Sequence, residues 1–85
     1  MQSFHFTKYS YSLFLELESN VRERVEQKLE WIKKHPDILS LLRPLKGYEP
    51  ASYRLRIGNY RLIIHQKAKS KFVIVDIGHR KNIYQ

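Results

Sequence analysis

Residues 52–66, SYRLRIGNYRLIIHQ, decide the fold of this chain. Gly58-Asn59 is a two-residue turn with glycine first, the type II′ signature. It sets Ile57 opposite Tyr60, Arg56 opposite Arg61, Leu55 opposite Leu62 and Arg54 opposite Ile63. Side chains alternate across a strand, so Tyr53, Leu55, Ile57, Tyr60, Leu62 and Ile64 share one face and Arg54, Arg56, Arg61 and His65 the other. Like charges opposed across a ladder cost stability, and this many guanidinium groups point to phosphate as the anion that would compensate them.

Downstream of the hairpin, residues 67–71 read as a polar, basic loop. Residues 71–77, KFVIVDI, are apolar on both faces apart from Asp76, the pattern of a central strand, which Gly78 ends. Simple alternation puts Asp76 on the face of Phe72 and Ile74, where a carboxylate needs a partner, and an arginine is the expected one.

Upstream, residues 2–8 alternate as a half-buried strand, with Phe4 and Phe6 on one side and His5 and Thr7 on the other. Residues 9–19 fit two periods, Leu13, Leu15 and Leu17 alternating while Leu13, Phe14 and Leu17 suit a short helix; helix is the favoured reading. A second helix starts at Asn20 as N-cap, with Glu23 three residues on, and buries Val21, Val25, Leu29 and Ile32. Glu30 pairs with Lys34, the cations Lys33, Lys34 and His35 complement the dipole, and Pro36 stops the helix. Residues 36–50 form a connector with one helical turn around 37–42 and a closing Leu45-Lys46-Gly47 turn. These elements predict an α+β domain over residues 1–85. Its small, antiparallel-dominated sheet of about four strands has two N-terminal helices packed on one face, the other face being basic and open.

Charge divides the chain in two. From Ser52 onward the bases are Arg54, Arg56, Arg61, Lys67, Lys69, Lys71, Arg80 and Lys81 against the single acid Asp76, so this part supplies seven of the eight net positive charges. Glu16, Glu18, Glu23, Glu26 and Glu30 all fall in the helical part. A polyanion is the partner such an asymmetry implies. With no cysteine, disulfides, thiolate metal sites and a cysteine nucleophile are excluded. His5, His35, His65 and His79 lack metal-ligand spacing, so neither metal nor cofactor is expected. No run has the length of a membrane span and MQSFHFTKYS lacks the apolar region of a signal peptide, which implies a cytoplasmic protein without membrane partners.

The order strand, two helices, Leu45-Lys46-Gly47, YRLRIGNYRLII and a final IGHRKNIY resembles the RelE/ParE superfamily of type II toxins, most specifically in residues 53–61 and in Gly78-His79-Arg80 followed by Tyr84. The RelE branch comprises ribosome-dependent messenger RNA endonucleases, and the ParE branch comprises gyrase inhibitors that cut no nucleic acid. The resemblance implies an RNA site at Arg54, Arg56, Arg61, Arg80 and Tyr84. The RelE pattern has lysines where this chain has Arg54 and Arg56, and it places its terminal tyrosine further from the arginine.

Metal-free RNA cleavage through the 2′-hydroxyl requires alignment, neutralisation of a phosphorane and movement of two protons. Arg56, Arg61, Arg80, Tyr84 and His79 are the expected catalytic residues, and Arg54, Lys46, His65 and Lys81 the expected RNA-binding residues. Guanidinium forks suit the phosphate, Tyr84 suits stacking on a splayed base, and the proton acceptor is His65 or His79. The expected partners are messenger RNA on the ribosome and a cognate antitoxin that forms a hetero-oligomer with the toxin. A gyrase inhibitor and a degenerate toxin kept for antitoxin binding are the alternatives. Tyr9, Tyr11 and Trp31 read as core or antitoxin-contact residues, with no nucleotide-binding role suggested by their spacing.

Overall fold

The computed structural model of the chain describes residues 2–45 and 52–79. In order these form β1 (Ser3–Phe6), α1 (Lys8–Leu15), α2 (Ser19–Lys33), a 3₁₀ turn (Ile38–Leu41), β2 (Arg43–Pro44), β3 (Ser52–Ile57), β4 (Tyr60–Ala68) and β5 (Lys71–His79). Lys46, Arg80, Lys81 and Tyr84 lie outside the described residues. The sheet order is β1-β5-β4-β3-β2, with β1 parallel to β5 and the remaining pairs antiparallel.

The β3–β4 hairpin has the register its turn dictates, from Ile57 opposite Tyr60 through Arg56 opposite Arg61 to Ser52 opposite His65. Gly58 has φ +60° and no other described residue has positive φ, so Asn59 does not, as a type II′ turn requires. Leu55, Ile57, Leu62 and Ile64 are buried on the helix side together with Phe72, Ile74 and Ile77 of β5. Val21, Val25, Leu29 and Ile32 of α2, Phe14 of α1, and Ile38 and Leu42 close the core from above.

Capping chemistry resolves the ambiguous segment after β1. Thr7 Oγ1 accepts from the Ser10 amide and Ser10 Oγ from the Thr7 amide, both at 3.0 Å, a reciprocal box with serine where glutamate is usual. The fully buried Ser10 hydroxyl also donates to Ile74 O at 2.6 Å, which ties α1 to β5. The helix ends at Leu15 rather than near Ser19, because Glu18 is already the extended residue that starts α2.

Several boundaries depart from expectation. Asn20 lies inside α2, whose N-cap is Glu18 without a side-chain cap bond, and Asn20 Oδ1 accepts from the Val21 amide. Glu30 pairs with Lys33 at 2.9 Å instead of Lys34, which is the C-cap. β2 adds a fifth strand, Arg43 opposite Arg54 and Pro44 opposite Tyr53, at an edge where a proline's missing amide is tolerated. β5 runs through Gly78 to His79. A bulge at Val75, between the pairs Ile64–Ile74 and Ile63–Asp76, shifts the alternation of β5 by one residue. Ile77 therefore takes the core position, and Asp76 moves to the face opposite Phe72 and Ile74.

Candidate functional site: a basic sheet face and groove

Paired residues in a sheet point to the same side, so the registers define cross-strand rows on the face away from the helices. One row is Arg43, Arg54, Ile63 and Asp76; the next is Arg56, Arg61 and Gly78; on the other flank run Ser52, His65, Val73 and His5. The sheet thus gathers four arginines from three strands, and Gly78 leaves no side chain beside Arg61. Arg43 was not foreseen because residues 36–50 read as a connector; the one signal was a proline directly after a basic residue, which suits a short edge strand.

Arg56 is exposed, and its Nε–H donates to Gly58 O at 3.3 Å. Arg54 and Arg61 are half-buried. Among the described residues Asp76 takes no arginine: its Oδ1 accepts from the Ile77 amide at 2.9 Å, a local partner at the bulge. His65 shares the arginine face. Its burial, and secondly the charge of Lys67, push its imidazole below the ordinary histidine value, which favours the neutral form. His79 pairs with Tyr60 in the row of Ile57, on the reverse face, with ring centroids 5.5 Å apart in an edge-to-face contact. The structure therefore brings together Arg54, Arg56 and Arg61, adds Arg43, places His65 on the same face two rows from Arg61, and sets His79 apart from them.

At the β3 edge this face opens into a groove of about 420 Å³ lined by Arg43, Arg54, Arg56 and Arg61, by Lys28 and Trp31 of α2, and by Leu41 and Leu55. No acid lines it among the described residues. Tyr9, Tyr11 and Trp31 are not core residues: their relative exposures are 62%, 48% and 54%. No described helix is long and apolar enough to cross a membrane.

The chain matches the family model described as ParE toxin of type II toxin-antitoxin system, parDE, over residues 7–84. No curated protein sequence matches it. Among solved structures it is similar to the RelB-RelE antitoxin-toxin complex from Methanococcus jannaschii, with 26% identity, TM-score 0.72 and 94% of each chain covered. The intact Escherichia coli RelBE complex gives 26% identity and TM-score 0.71, covering 93% of this chain and 96% of the other. The Mycobacterium tuberculosis RelBE2 complex shares the fold, at 23% identity and TM-score 0.75, with 93% and 98% covered. The matched family and the shared fold identify the chain as a member of the ParE toxin family of type II toxin-antitoxin systems, within the RelE/ParE superfamily.

Proposed function

We propose that this toxin is a metal-independent endoribonuclease that cuts messenger RNA in the ribosomal decoding site and so stops translation, and that a cognate antitoxin silences it. The observation that carries the reading is the direct opposition of Arg56 and Arg61, flanked by Arg54 and Arg43, on a face without helices. Opposed like charges work against folding, and a phosphate bridging them would turn the same groups into a binding site.

In this reading the 2′-hydroxyl of a nucleotide attacks the adjacent phosphorus, the 5′-oxygen leaves, and the products carry a 2′,3′-cyclic phosphate and a 5′-hydroxyl. Arg56 and Arg61 hold the non-bridging oxygens and offset the charge of the phosphorane. His65 is the better proton acceptor of the two histidines, since it shares the arginine face and its neutral form is favoured, whereas His79 packs on Tyr60 on the reverse face. By resemblance Arg80 adds transition-state charge and Tyr84 stacks on a splayed base; Lys46 and Lys81 are the cations proposed for flanking phosphates.

The solved relatives named as RelB-RelE complexes support an antitoxin partner. An acidic segment that folds over the arginine face, with its apolar side on the exposed Tyr9, Tyr11 and Leu15 of α1, meets both charge and apolar surface. The alternative is inhibition of gyrase without cleavage. It is favoured by the ParE description of the matched family and by arginine at positions 54 and 56, where RelE enzymes carry lysines that can serve in proton transfer.

Induction of the toxin in cells, followed by mapping of messenger RNA 5′ ends and of plasmid supercoiling, separates the two. New 5′ ends within translated frames at unchanged supercoiling are expected; collapsed supercoiling with intact messages replaces this reading by the gyrase one.

A further inference from the structure

We infer that the groove between α2 and the β3–β4 turn carries the RNA strand onward from the arginine face, with one unpaired base of the substrate stacked on Trp31 and its neighbouring phosphates held by Arg24 and Lys28. This inference rests on the phosphate reading of the arginine face and extends the same site.

Arg24, Lys28 and Trp31 recur at helical spacing and form one stripe of α2, with His35 just past its C-cap. The stripe is physically joined: Lys28 Nζ lies 5.0 Å from the Trp31 ring centroid, and the Trp31 and His35 rings are 5.8 Å apart. At its other end Arg24 rests on the hairpin turn, its Nη2 only 2.6 Å from where a Cβ on Gly58 would stand. The resulting hollow, about 430 Å³, is lined by Arg24, Lys28, Trp31 and Arg56. Lys28, Trp31 and Arg56 also line the groove that opens onto the arginine face, so the two hollows adjoin along these side chains. The acids of α2, Glu23, Glu26 and Glu30, line another hollow, which meets the first at Gln27.

Cations that alternate with an exposed indole match single-stranded nucleic acid, whose phosphates need charge and whose bases need a π face. A purely acidic peptide would use Arg24, Lys28 and Arg56 but would add nothing to the exposed Trp31 ring beyond the Lys28 and His35 contacts it already has. Adjacency to the arginine face commits the occupant to the substrate strand itself, beyond the scissile step.

Trp31 is the sole tryptophan, so its emission reports on this groove alone. The test titrates the full chain with a fluorescein-labelled nine-nucleotide 2′-O-methyl oligouridine, which has no free 2′-hydroxyl and cannot be cut, and reads probe anisotropy; an unlabelled copy serves for indole emission. Expected are quenching of Trp31, a Kd raised about tenfold in Trp31→Ala, in line with the value of one stacked base, and near-native affinity in Trp31→Phe, which keeps a stacking face. Arg24→Gln with Lys28→Gln lowers the salt slope by about 1.4, at roughly 0.7 per phosphate contact, whereas Glu30→Gln on the acidic side changes nothing. Circular dichroism verifies that each variant is folded.

Unquenched Trp31 at saturation, or native affinity in Trp31→Ala, overturns the groove assignment. If Arg56→Ala and Arg61→Ala still weaken binding in that case, the arginine face survives alone. Failure of the wild-type chain to bind the oligonucleotide at all overturns both. Quenching by a nine-residue oligoglutamate but not by the oligonucleotide reassigns the groove to an acidic peptide.

Discussion

Arg56→Ala tests whether the arginine face is built for a ligand or for the fold. Arg56 is exposed and directly opposes Arg61 in the hairpin. Two unit charges about 7 Å apart repel by roughly 0.6 kcal/mol in water, and cross-strand pairs of like charge cost about 0.2–1 kcal/mol. Against this gain stands one long, exposed bond from Nε–H to Gly58 O at 3.3 Å, worth at most the lower end of the ~0.5–1.5 kcal/mol range for hydrogen bonds. Folding stability should therefore be unchanged or raised by up to ~0.5 kcal/mol at low salt, a shift of a few tenths molar in the urea midpoint. In 1 M salt, with a screening length of about 3 Å, any gain disappears. RNA binding should fall in the same variant. Urea unfolding of wild type and variant at 20 mM and 1 M NaCl measures this. A loss above about 1 kcal/mol at low salt would refute the reasoning, because the guanidinium would then be structural.

Leu62→Ala removes a side chain with no exposed surface between Leu55 and Ile77 and should cost about 2–5 kcal/mol, read as a lowered urea midpoint at unchanged slope. Ser10→Ala removes the hydroxyl's bonds to the Thr7 amide and Ile74 O, which still bond each other at 3.1 Å, and should cost about 0.5–1.5 kcal/mol, which amide exchange would register first in α1 and β5. His65 is held below its ordinary pKa, so the unfolded chain binds its proton more readily and stability falls as pH drops through about 6.5 towards the folded-state value; His65→Gln should flatten that acid-side slope.

The hairpin was legible in the sequence to the residue, because a glycine-first two-residue turn admits one register and the alternation of Leu55, Ile57, Leu62 and Ile64 fixes which face is buried. The buried row of α2 was equally legible from its spacing, while its start was not, since Glu18 begins the helix without a side-chain cap. What alternation could not convey was the bulge at Val75. One extra residue moves Asp76 to the arginine face, and no composition rule marks the place. β2 is two residues long, too short to show a period, and so Arg43 was missed. The site was half legible. Arg54, Arg56, Arg61 and His65 share one face as the alternation required, His65 two rows from Arg61; His79 lies on the other face because β5 continues past Gly78. Trp31 carries its signal only in three dimensions, where Lys28 and the hairpin turn converge on it.

The central claim is that the arginine face cleaves message. The direct measurement incubates purified toxin with ribosomes programmed with a defined message and compares wild type with Arg61→Ala, reading cleavage rate and end chemistry. The account predicts cuts in the decoding site that leave a 2′,3′-cyclic phosphate and a 5′-hydroxyl, slowed about 100- to 1000-fold in Arg61→Ala, the loss typical of one transition-state donor. Intact message with the wild-type toxin, alongside loss of supercoiling by purified gyrase, would contradict it.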